Sequence, residues 1–176
     1  MMERLNPEFK KTLNETVTPQ ELNEILRGYI EAALWTEEER LKDDAQSYND
    51  TISADDEHDE KESELDKLVR LTNDFQKKTI DSFSREDIDA NSLIKAYTDI
   101  KEFIRIAGDV AVNEAVEEGG YEQLGHDIWL TRNHHGAGFF DHSYENENPL
   151  TDAAHTIRGV DLYLGDDMKL YFSNSN

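Results

Sequence analysis

The sequence predicts an α+β fold: three to four helices in the N-terminal part, packed with a small antiparallel sheet of two C-terminal hairpins. Three observations lead there. Apolar residues recur at helical spacing after residue 18, short β-like runs separated by turn residues begin near residue 128, and no internal repeat appears. The 176 residues suffice for a single domain over 1–176 with its own core.

The first helix has a clear start. Thr18-Pro19-Gln20-Glu21 offers Thr at the N-cap, Pro at the first helical position and Glu three residues after the cap, a capping box. Leu22, Ile25, Leu26, Tyr29, Ile30, Ala33 and Leu34 then form one wide apolar stripe, so a helix is expected over about 19–35. Residues 37–66 change character. They hold fourteen Asp/Glu and three Lys/Arg, and the run DDAQSYNDTISADDEHDEKE follows neither helical nor strand period. Residues 37–62 therefore read as a flexible acidic loop or linker, with His58 a solvated member of it.

Order is expected to resume at Ser63. Leu65, Leu68, Val69, Thr72 and Phe75 suit a second helix over about 64–79. After the polar break SREDIDANS, Asn91 or Ser92 can cap a third, with Leu93, Tyr97, Ile100, Ile104 and Ala107 on one face and Gly108 at its end. A shorter helical piece over 109–118 stops at Gly119-Gly120. DIWLTR and GAGFFD read as two strands turning at Asn133-His134. A short helix over about 150–158 precedes a second hairpin, with strands 160–164 and 168–172 around Gly165-Asp166-Asp167.

Charge excludes some functions. Forty Asp/Glu against eighteen Lys/Arg give a net charge of −22. Such a chain adds to the charge of nucleic acid or an anionic membrane and releases none of their counterions, so direct binding of either is not expected. A basic protein surface is the expected partner. The bland alternative is acidity that serves solubility alone. There are no cysteines, which removes disulfides, thiolate metal sites and cysteine nucleophiles. No apolar run approaches the ~18 residues of a membrane span, and MMERLNPEFKK lacks the apolar stretch of a signal peptide. A soluble cytoplasmic protein is expected. No heptad seam speaks for an oligomer, and the oligomeric state stays open.

Chemistry is concentrated in GHDIWLTRNHHGAGFFDH, residues 125–142, which hold four of the six histidines. In the expected hairpin, residue 126 faces 141, 128 faces 139 and 130 faces 137. His126, Ile128, Leu130, Ala137, Phe139 and Asp141 then share one face. Three readings follow. His126, His135 and Asp141 are candidate ligands for a divalent metal. His126, Asp127 and His135 are candidates for general acid–base work. Alternatively a His–Asp hydrogen bond only fixes the hairpin. No HExxH, G-x-S-x-G or phosphate-loop motif supports catalysis, and no cofactor is indicated beyond that divalent metal.

This segment resembles one of the form GHDFWLTRNGHGAGFWDR in a family of small uncharacterised bacteriophage proteins. LRGYIEAALWTEEE, AYTDIKEFI and LTDAAHTIRGVDLYLGDD also resemble that family, so the likeness covers roughly two-thirds of the chain. Residues 43–62 make a longer acidic stretch than the family has. His134 stands where the pattern has Gly, Phe140 where it has Trp, and His142 where it has Arg. His126, Asp127, Arg132, Asn133 and His135 fit the pattern. The resemblance implies a phage origin and the cytoplasm of an infected bacterial host, and it implies no reaction.

The leading expectation is an acidic accessory protein that binds, and inhibits or modulates, a host nucleic-acid-handling or defence protein by imitating nucleic-acid charge. Asp55, Asp56, Glu57, Asp59, Glu60, Glu62 and Glu64 are the densest candidate contacts. One alternative is a metal-assisted hydrolase at the His/Asp cluster. The other is a small virion or assembly component.

Overall fold

A computed structural model of the chain describes residues 17–55 and 83–174, with the backbone alone at 52–55 and 174. The expected helix over 64–79, His58 and six of the seven densest acidic candidates lie outside the described residues. Within them the fold is α+β: four helices and a two-stranded antiparallel sheet.

Helix α1 spans Pro19–Asp55. Its start is the capping box the sequence announces: Thr18 N–H donates to Glu21 Oε2 at 2.6 Å, and Glu21 N–H donates to Thr18 Oγ1 at 3.2 Å. Its end differs from expectation. The helix does not stop near Trp35 but continues to Asp55, so residues 37–55 are helical where a flexible linker was expected. Leu41 and Ala45, 0% and 1% exposed, explain the extension. They lie on the row of Ile25, Tyr29 and Ala33, interrupted by the half-buried Glu37, and burial of that row outweighs the many charges opposite. Arg40 ties this part of α1 to the sheet by donating to the Leu162 carbonyl.

Helix α2 spans Ala90–Ala107 and is capped by Asp89, whose carboxylate accepts from Asn91 N and Ser92 N. The cap is thus Asp89, not Asn91 or Ser92. Gly108, at φ +82°, ends α2 as expected. Helix α3 spans Asp109–Arg132 and bends at Gly120, whose φ of +83° only glycine adopts without strain. The glycine pair stops the first half, but the chain resumes a helix at once.

The first predicted hairpin is absent. DIWLTR forms the last turns of α3, and GAGFFD forms a loop ending in a 3-10 turn, Phe139–Asp141. The cross-strand pairs 126/141, 128/139 and 130/137 therefore do not exist. The physical reason is burial all around. Leu124, Gly125, Asp127, Ile128, Trp129, Thr131 and Arg132 are all buried, so this central helix has no polar face to reveal its period. Helix α4, Glu147–Thr156, follows. The second hairpin is as predicted in kind: β1 (Val160–Leu164) pairs antiparallel with β2 (Leu170–Asn174), Leu162 opposite Phe172.

Helix α1 packs most extensively on α3. Two glycines make the close approach possible. A Cβ on Gly28 would collide with the Glu122 carbonyl, and one on Gly125 with the Ile25 carbonyl. Tyr29, Trp129 and Phe172 meet at this junction, with ring centroids 5.2–5.9 Å apart.

Candidate functional site

The motif-like segment 125–142 turns out to hold the fold together. Arg132 is 1% exposed. Its guanidinium donates to Tyr29 Oη at 2.8 Å, to Asp99 Oδ2 at 3.0 Å, and to the Ile157 and Arg158 carbonyls at 2.9 and 2.7 Å. It thereby joins α1, α2 and α3 to the end of α4. Burial pushes the Tyr29 hydroxyl up to about 12, against the pull of the Arg132 charge. Asn133 Oδ1 accepts from Val160 N at 2.8 Å and aligns the sheet. Thr131 Oγ1 accepts from Phe139 N, and Gly138 leaves the room this contact needs. The Trp129 indole N–H donates to Thr36 Oγ1 at 2.8 Å.

The candidate metal ligands are dispersed among different partners. His126 Nε2 lies 3.5 Å from Glu31 of α1. His135 stacks on the Trp129 indole with Nε2 3.8 Å from Glu37. Asp141 is exposed and accepts from Gly138 N at 3.1 Å. Among the described residues no group of three or more His, Asp and Glu could hold a metal ion. The set His126, His135 and Asp141 depended on a hairpin that is not there.

A His–Asp pair does exist, between other partners. Asp127, 2% exposed, accepts from Gln123 Nε2 at 3.0 Å through Oδ1. Its Oδ2 lacks a well-directed hydrogen bond and faces His142 Nε2 at 3.0 Å. Burial raises the Asp127 carboxyl, and the His142 charge and the Gln123 hydrogen bond oppose that rise. Tyr144 stacks on His142 with ring centroids 4.8 Å apart. Burial pushes its hydroxyl up to about 12, helped by the charges of Asp127, Glu118 and Glu114. Glu114 accepts from Glu145 N, Asn146 N and Asn146 Nδ2. Together these contacts fasten the loop 139–146 onto α3. The expected hairpin set His142 opposite Gly125, so its pairing with Asp127 was not legible in the sequence.

The acidic surface has a definite geometry on α1. Steps of four residues drift by only about 40° around a helix, so they trace one ridge. Arg27, Glu31, Trp35, Glu39, Asp43, Ser47 and Thr51 form such a row, and every one is exposed. Trp35 is 68% exposed. The row lies away from buried Ala33, Leu41 and Ala45. Of the seven predicted contacts, Asp55 is the last residue of α1, and Asp56, Glu57, Asp59, Glu60, Glu62 and Glu64 are not described.

No protein-family model, curated protein or solved structure matches this chain. Among the described residues no helix is long and apolar enough to cross a membrane.

Proposed function

We propose that this protein is an acidic binding protein whose partner is a basic, nucleic-acid-handling or defence protein of the host cell. It would occupy a groove built for phosphates and thereby inhibit or modulate the partner. One observation carries this reading: most of the charge lies on described residues, much of it on helices. The described residues hold 28 of the 40 Asp/Glu and 10 of the 18 Lys/Arg. Carboxylates on helices keep fixed spacings, as phosphates on a duplex do, whereas those on a loose tail do not. A fixed negative field attracts a basic groove over about a Debye length, near 8–10 Å at moderate salt, and speeds encounter. The resemblance to phage proteins supports the infected bacterial cytoplasm as its setting.

Capture from bacterial lysate on immobilised protein, at low and at moderate salt, tests the reading. The expected result is one stoichiometric basic protein whose retention falls as salt rises and which added duplex DNA displaces. Retention indifferent to both salt and DNA, or no partner at either salt, would overturn it.

A further inference from the structure

We propose that the outward face of α1 is a docking site for an arginine of the partner, received between the Trp35 indole and the carboxylates of Glu31 and Glu39. The inference rests on the acidic-binding reading above and names the point of contact. Glu31 and Glu39 stand four residues before and after Trp35, so both flank the indole on one helical ridge. All three side chains are exposed. An indole left 68% in water on a well-packed helix is an apolar surface without a partner among the described residues.

The chemistry of the occupant follows from charge and shape. No Lys or Arg occurs on α1 between Arg27 and Arg40. Arg27 is engaged by Glu122, and Arg40 by Glu37 and the Leu162 carbonyl. Of the other carboxylates within one turn of Trp35, Glu37 is taken by Arg40 at 2.8 Å and Glu38 by Lys42 at 2.5 Å. Among the described residues the ridge therefore presents an aromatic face, the Glu39 carboxylate with no cation beside it, and the Glu31 carboxylate with only His126 Nε2, 3.5 Å away. A guanidinium satisfies both features at once: it stacks flat on an indole and donates to carboxylates at its edges. A lysine ammonium meets the carboxylates but is more strongly hydrated and cannot stack. Asp43 and Asp50, further along the same side of α1, extend the acidic track for a second basic residue.

The test compares octa-arginine with octa-lysine, which carry equal charge, as probes of the full chain. Affinity is read by titration at moderate salt, and burial of Trp35 by acrylamide quenching, since Trp129 is only 1% exposed. The expected preference for octa-arginine is roughly 2–5-fold, the size of an exposed cation–π contact. Binding should shield Trp35 from quencher. Trp35→Ala should abolish the preference while leaving the far-ultraviolet circular dichroism unchanged. Glu31→Gln with Glu39→Gln should weaken both peptides. Equal affinities with normal salt dependence would overturn the arginine site and leave the acidic-binding reading standing. So would a preference that survives Trp35→Ala. Trp35 already shielded in the free protein would mean the face is covered, and would overturn the site as well. Failure of both peptides to bind even at low salt would overturn the site and the broader reading together.

Discussion

Arg132 and Asp127 sit five residues apart on α3 in the segment that looked most like an active site, and both are buried. Their chemistry is spent on the fold. Removing a buried charge that serves several acceptors leaves those acceptors unpaired. Arg132→Met should cost about 3–5 kcal/mol, read by urea denaturation. A loss under ~1 kcal/mol, within the range of a surface ion pair, would contradict the role given to it. Asp127 has the opposite signature. Its carboxyl is raised above its ordinary value of 3.8, chiefly by burial, so the folded protein holds that proton more tightly than the unfolded chain. Stability from this group is present at low pH and is lost as pH rises through the raised value. Asp127→Asn keeps the shape and the acceptor for Gln123. Relative to wild type, it should become more stable as pH climbs from about 3 to about 8, with little difference at the acid end. Thermal melts across that range check this. A variant that loses ground as pH rises would show that the His142 pair outweighs the burial.

At the scale of elements, legibility followed the presence of a boundary signal or a polar face. The start of α1 and the end of α2 at Gly108 carry caps or glycines and stand where expected, and the turn residues of the β1–β2 hairpin mark it correctly, with its second strand two residues later than expected. The last turns of α3 carry neither. Ile128, Trp129, Leu130 and Thr131 have strand-like side chains, and nearly every neighbour is buried, so only packing against α1 reveals the helix. The C-terminal part of α1 was obscured the other way: Leu41 and Ala45 are too sparse among charges to show a stripe in the sequence, yet both are buried. Leu41→Ala should therefore cost about 2–5 kcal/mol, whereas in a solvated linker it would cost almost nothing. Amide exchange along 38–50 should show protection to match. The crossing of α1 and α3 is equally testable. Gly125→Ala drives a methyl into the Ile25 carbonyl and should destabilise by about 1–3 kcal/mol or more. A neutral effect would mean the helices lie farther apart.

At the scale of the whole molecule, the described residues carry most of the negative charge, and in α1 residues 37–55 alone span about 28 Å. The net charge was plain in the sequence, whereas the placement of its carboxylates along α1 beyond Trp35 was not. Carboxylates placed along α1 should matter more than the dense run at 55–64. Glu31→Gln, Glu39→Gln, Asp43→Asn and Asp50→Asn together should weaken partner binding more than neutralising Asp55, Asp56, Glu57, Asp59, Glu60, Glu62 and Glu64. The reverse order would return the contact surface to the run. The central claim, that the protein stands in for nucleic acid on a basic partner, is tested most directly by competition. The captured partner is loaded on a labelled DNA duplex, the protein is titrated in, and fluorescence anisotropy follows release. The account predicts complete release of the duplex, weakening steeply as salt rises. A ternary complex, with the partner holding duplex and protein together, would contradict it.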